Sequence, residues 1–216
     1  MLSVVKSIVL QGLDGIIVKI EVDISNGLPA WDIIGLADTS IKEAKERVRT
    51  SIKNCGIDLL SRKYVINLSP ANLRKEGSSF DLAIAIGILK SIGIVKESTK
   101  FKDTIFIGEL SLNGNIEKID GVLPMCIEAL KYGIKEVIVP KTNELEALCV
   151  SGINVIGVSN LKEVVDYLNG KIKVKENKIN KLELLKNIGK YQINFNEVKG
   201  QTSVKRALEV AVARES

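Results

Sequence analysis

Between residues 67 and 81 the chain reads Asn-Leu-Ser-Pro-Ala-Asn-Leu-Arg-Lys-Glu-Gly-Ser-Ser-Phe-Asp: a strand end, a glycine-marked loop and a helix start carrying two serines. A serine becomes a nucleophile when a neighbouring base takes its proton and amide groups receive the developing oxyanion. With Ser79 at the first turn of a helix predicted over residues 79–92, backbone N–H groups supply the second requirement, and Gly77 lets a substrate approach the backbone. The same residues have a purely structural use. Ser78 and Asp81 have the three-residue spacing at which two side chains tie up the free N–H groups of a helix start. Nucleophile and cap both stay open on this stretch alone.

The base is the harder requirement. The 216-residue chain has no histidine, which removes Ser-His-Asp and Cys-His catalysis and the usual zinc ligand sets. Activation then falls to a lysine whose pKa is lowered by burial, a carboxylate or a helix terminus. Cys55, Cys126 and Cys149 are odd in number and contain no Cys-x-x-Cys pair, so they read as small buried hydrophobes in a reducing compartment. No apolar run approaches the roughly 18 residues of a membrane span, and Met1–Lys6 has no leader character. The expectation is a cytoplasmic protein with no membrane partner.

The elements that must position the serines follow from patterning. Residues 3–10 and 15–24 alternate around a Gly12–Gly15 turn as a hairpin, and a third strand follows at 30–35. A helix runs from Asp38-Thr39-Ser40 to about Asn54, with Ser40 and Glu43 at capping-box spacing, an apolar stripe of Ile41, Ala44, Val48 and Ile52, and Gly56 past its end. A strand at 63–68 precedes the serine loop. After the apolar helix come a strand at 104–108, a hairpin turn at Asn113-Gly114, helix 121–132, strand 136–139, helix 142–149, strand 153–157 and helix 160–168. The N-terminal third is mostly antiparallel and the C-terminal half alternates βαβα, giving an α/β fold with a mixed sheet and packed helices.

Charge marks the end of this domain. Residues 171–190 hold seven lysines against Glu176 and Glu183, which accounts for the whole net charge of +5. This tract reads as an exposed linker, or alternatively as a surface for DNA phosphates whose affinity falls with salt. Tyr191 and Phe195 lie beyond its end, so it has no interleaved aromatics. A last helix over 201–213 carries Val204, Ala207, Leu208, Ala211 and Val212 along one side. Elsewhere, Arg74-Lys75 reads as a phosphate contact or a solvated loop, and Lys42, Lys45, Glu46 and Arg49 as an exposed helix face with paired charges. Gly108 serves a turn, and Trp31 is an anchor in the core or against a partner.

Three motifs resemble the proteolytic domain of Lon proteases: Gly77-Ser78-Ser79, Phe106–Gly114, and Ala129–Pro140. Those enzymes use a Ser–Lys dyad. Ser79 takes the nucleophile position, but counting back from Gly133-Ile134-Lys135 puts Leu123 at the lysine position. Leucine cannot take a proton, and the nearest lysines, Lys118 and Lys131, need a shifted alignment. The Lon resemblance therefore implies a relic nucleophile position rather than a working dyad, with no catalytic, cofactor or metal residue to assign.

A second resemblance covers residues 1–168 in matching order. Gly27–Asp38, Lys42–Arg49 and Asn67–Asp81 are similar to the N-terminal domain of the YifB/ComM family, AAA+ ATPases related to magnesium chelatase subunits. It implies a Lon-protease-like domain of ribosomal-protein-S5-domain-2 type over 1–168, a lysine-rich linker over 169–194 and, from Phe195 to Ser216, the entry to the ATPase domain. No Gly-x-x-x-x-Gly-Lys-[Ser/Thr] occurs among the 216 residues, so the resemblance leaves ATP and Mg2+ to the full-length family, and the chain is expected to be an excised or truncated N-terminal part. It also implies as partners the ATPase domain of the same protein, further copies in a homo-oligomer, and DNA during recombination and branch migration in natural transformation. The expectation for this chain is a non-catalytic module. Its alternatives are a residual peptidase centred on Ser79 and a DNA-binding module using residues 171–190.

Overall fold

The computed structural model describes residues 2–12, 14–73, 75, 77–173 and 197–213. The chain divides into two units, residues 1–179 and 180–216. The first is a mixed α/β fold. Its N-terminal sheet has the order β1-β2-β4-β3, built from β1 (Ser3–Gln11), β2 (Asp14–Ser25), β3 (Ala30–Ile34) and β4 (Lys63–Ser69). The predicted hairpin is present, with Gln11 opposite Asp14. β2 and β4 are antiparallel, whereas β3 runs parallel to β4 and forms the outer edge.

Helix α1 (Thr39–Asn54) buries the predicted stripe of Ile41, Ala44, Val48 and Ile52. Its cap differs from the capping box expected of Ser40 and Glu43. Asp38 takes the capping place, its Oδ1 accepting from Ile41 N at 2.8 Å, and Ser40 lies within the first turn. Helix α2 (Asp81–Ser91) has all eleven residues buried, as expected of a helix that is apolar on every face from Leu82 to Leu89. It lies close against the first sheet because Gly87 has no side chain: a Cβ there would stand 2.9 Å from Val22 Cγ2.

The second half follows the expected alternation. β5 (Thr104–Phe106), β8 (Glu136–Pro140) and β9 (Asn154–Val158) form a parallel sheet of order β5-β8-β9, with α3 (Val122–Lys131), α4 (Glu144–Ala147) and α5 (Leu161–Leu168) between and after its strands. β6 (Glu109–Leu110) and β7 (Ile116–Glu117) make the small hairpin expected around Asn113-Gly114. Strand 104–108 is shorter than its pattern suggests, since Gly108 N–H leaves the sheet to bond Ser79 O at 2.9 Å. Helix 142–149 shrinks to α4 after a 3-10 turn at Lys141–Asn143.

Two apolar cores result. Residues of α1, α2 and the first sheet fill one; α3 and α4 cover the other, which includes Ile105, Val137, Val139 and Val155. The parallel strands contribute to both, Ile138 and Ile156 to the first and their neighbours to the second, which is why they read as continuous apolar runs. Asn169 closes α5, its side chain bonding Ile94 O and Lys96 N. Of the predicted linker, residues 174–194 lie outside the described residues, as does most of the lysine tract at 171–190. In the second unit α6 (Thr202–Ala213) forms as expected, and none of its side chains is buried.

Ile84 is fully buried in the middle of α2. Ile84→Ala is expected to cost about 2–5 kcal/mol of unfolding free energy, read as a lower denaturant midpoint with an unchanged slope. A loss below about 1 kcal/mol would mean that α2 is not the centre of the first core.

Candidate functional site

The serine loop is held differently from either simple expectation. Helix α2 begins at Asp81, two residues after the predicted start, so Ser78 and Ser79 sit in the turn that precedes it. Three of the N–H groups around this helix start are already engaged. Asp81 N donates to Ser78 O at 3.2 Å, Leu82 N to Gly108 O at 3.0 Å and Ile84 N to Phe80 O at 2.9 Å. The capping pair is also rearranged. Ser78 Oγ donates to the Glu109 carboxylate, while Asp81 turns to Arg47 instead of reaching back to the loop.

A cavity of about 390 Å³ opens beside this loop, lined by Gly77, Ser78, Ser79, Glu109, Lys118 and Asp120 with Val9, Leu10, Ile119 and Met125. Ser79 is half-buried, and no described side chain hydrogen-bonds its hydroxyl. Lys118 shares the cavity with Ser79 and is exposed. Leu123 does not line it; its N–H instead donates to Glu146 Oε1 at 2.8 Å at the start of α3. Lys131 is paired with Glu128 at 2.5 Å, which raises its pKa and moves it away from the range of a base. The structure thus brings Ser79 together with Lys118, and not with Leu123 or Lys131.

Beneath the loop lies an ion pair that the sequence reading did not single out. Arg47 Nε and Nη2 donate to Asp81 Oδ2 and Oδ1 at 2.7 and 3.0 Å, and Leu110 N adds a third bond to Oδ2 at 3.3 Å. The Asp81 side chain is fully buried. Burial pushes its carboxyl up to about 6 even though the guanidinium and the Leu110 amide pull the other way. The hydrogen bond to Asp81 raises Arg47 in turn, so the arginine stays charged. A carboxylate that favours its proton and a guanidinium that keeps its own make a structural clamp at the head of α2.

Lys75 is a second correction. It is fully buried rather than solvated, its Nζ donating to Gly35 O at 2.9 Å and to Pro70 O, and burial lowers its pKa. It therefore cannot reach a phosphate. Gly35 allows this junction, because a Cβ there would lie 2.2 Å from Leu68 O. Arg74 lies outside the described residues. Of the three cysteines, Cys126 is buried as expected, Cys55 is half-buried, and Cys149 is exposed because α4 ends before it. Lys42, Glu46 and Arg49 are exposed and Lys45 is half-buried, but among the described residues they form no ion pairs with one another. Sequence spacing gave no signal for the Arg47–Asp81 or Ser78–Glu109 contacts, which join residues 34 and 31 positions apart.

Comparison with known proteins shows the family of this chain. The family model described as subunit ChlI of Mg-chelatase matches residues 20–143. The chain belongs to that family. Competence protein ComM of Haemophilus influenzae is 36% identical over 213 residues, covering 98% of this chain and 42% of that protein. The protein YifB of Escherichia coli is 34% identical over 212 residues, covering 98% and 41%. An archaeal Lon protease of Methanocaldococcus jannaschii is 29% identical over 132 residues, 61% of this chain and 20% of the protease. The chain spans about two fifths of the length of its ComM and YifB relatives. No described helix is long and apolar enough to cross a membrane.

The clamp sets a pH dependence. The native carboxyl of Asp81 titrates near 6 against about 3.9 in an unfolded chain, so the native state holds the extra proton in between and the contribution of Asp81 to stability falls as pH rises through that window. Arg47→Leu removes the guanidinium that offsets this trend. The variant is expected to lose about 3–5 kcal/mol at pH 8 and clearly less at pH 5, where the carboxyl is protonated. Equal losses at both values, measured by denaturant unfolding, would show that Asp81 is not the group responsible.

Proposed function

We propose that this ChlI-family chain is a non-catalytic N-terminal module of a ComM/YifB-type AAA+ ATPase. In that reading the whole protein is cytoplasmic, binds ATP and Mg2+ through its ATPase domain, assembles as a homo-oligomer and acts on DNA in recombination, with branch migration during natural transformation as its setting. The name of the ComM relative, a competence protein, supports the setting. The observation that carries the non-catalytic assignment is the engagement of the loop itself. Ser78 is bonded to Glu109, the amides of Asp81, Leu82 and Ile84 are spent on carbonyls, and Leu123 stands at the position of the Lon lysine. A module of this kind would dock or gate substrate for the attached ATPase.

One observation favours a second reading, a residual Ser–Lys peptidase. Lys118 and Ser79 line the same cavity, so a lysine from a different place in the chain can stand in for the one at Leu123. Incubation with casein at neutral and alkaline pH separates the two. The non-catalytic reading expects no cleavage by the wild-type protein or by Ser79→Ala and Lys118→Ala. Cleavage that both substitutions abolish would replace it with the peptidase.

A further inference from the structure

Away from the serine loop, two cavities of about 270 and 460 Å³ meet at Trp31 and Lys45, forming one groove between α1 and the β3 edge. Five cations line it: Lys42, Lys45 and Arg49 from one face of α1, Arg62 from the loop before β4, and Lys63 at the start of β4. Against them stand Glu46 and Asp32, the latter 3.5 Å from Lys63. Among the described residues Lys42, Lys45, Arg49 and Arg62 have no carboxylate partner. This concentration is local, because residues 1–170 carry 20 Lys and Arg against 21 Asp and Glu.

Trp31 supplies the second element. It is half-buried, lines both cavities and rests on Tyr64 with ring centroids 4.8 Å apart. Unpaired cations along an open groove attract a polyanion, and an aromatic ring among them offers a stacking platform for bases. An acidic peptide would use the cations and leave the ring idle. A duplex keeps its base faces inside its own stack. A single strand presents both phosphates and unstacked faces, so it alone uses everything that the groove contains.

We propose that the groove between α1 and β3, with Trp31 at its centre, binds single-stranded nucleic acid. The groove shares no lining residue with the Ser79 cavity, and none of its lining residues belongs to the lysine tract at 171–190. It deepens the reading of the chain as part of a DNA-handling protein and rests on that reading for its biological sense, while its test does not require ATPase or peptidase activity.

Trp31 is the sole tryptophan of the 216-residue chain, so its fluorescence reports on this groove directly. Titration of the full chain at low salt with an oligothymidylate of about 20 nucleotides is expected to quench that fluorescence saturably. In the double variant Arg49→Glu, Arg62→Glu the affinity should fall at least about tenfold, and the log–log salt slope should shrink by roughly 1.4 for two lost phosphate contacts. Both residues are exposed, and thermal unfolding verifies that the variant folds. If it melts early, Lys42→Glu, in the part of the groove lined by β3, carries the same expectation of weaker binding. Replacing the seven lysines of 171–190 by glutamine should leave the quenching in place. No quenching, quenching untouched by the groove variants, or equal quenching by poly-glutamate or duplex DNA would each overturn the proposal. Casein cleavage dependent on Ser79 would sink the non-catalytic reading while leaving this titration unaffected, so the two fail separately.

Discussion

The pairing of Arg47 with Asp81 holds the rest of this domain in register. A wholly buried carboxylate is costly to desolvate, and the cost is tolerable only where its oxygens are satisfied by fixed donors. Asp81 has three: the two guanidinium nitrogens from α1 and the Leu110 amide from the β6–β7 hairpin. Satisfying one side chain thus fixes the relative positions of α1, the head of α2 and β6. The first turn of α2 also suits a negative group, since the helix dipole presents its positive end there. Below that point the helix is buried on every side, so a shift at its head would be felt by Val5, Ile20 and Val22 of the sheet around Gly87.

The same clamp governs what the serines can do. Once Asp81 is committed to Arg47, it is unavailable to cap the loop, and Ser78 turns to Glu109 instead. The turn is then closed by backbone bonds in both directions: Gly108 N to Ser79 O, and Leu82 N to Gly108 O. An oxyanion hole needs N–H groups aimed at an empty position. Here the amides of Asp81, Leu82 and Ile84 point at carbonyls within the fold.

Much of the fold was legible in the sequence because it depends on short-range pattern. The stripe of Ile41, Ala44, Val48 and Ile52, the Asn113-Gly114 turn and the alternation of apolar strands with helices all appear where periodicity puts them. The failures share a cause. Capping pairs assigned by three-residue spacing, Ser40 with Glu43 and Ser78 with Asp81, gave way to Asp38 and to partners more than thirty positions distant. Lys75 read as a surface residue because lysine is rarely buried, and only its two carbonyl acceptors, brought near by Gly35, make burial tolerable. Spacing carries local geometry; it is silent on which distant group will satisfy a buried charge.

These commitments also explain how the serine loop keeps its path independently of any chemistry. The segment from Lys75 to Phe80 joins the cap of α1 to the head of α2: Lys75 N and O bond Leu36 and Asp38, and Gly77 N donates to Asp38 Oδ2 at 3.3 Å. Asp38 in turn caps α1 at Ile41, on the helix that supplies Arg47 to Asp81. The loop is therefore one arc of a closed circuit of contacts, running from α1 through Asp38, Lys75, the serines and Asp81 back to α1. Altering its path would break the circuit at more than one place. A loop under that constraint holds its conformation for structural reasons alone, and the position of Ser79 within it follows from the packing whether or not a base stands opposite.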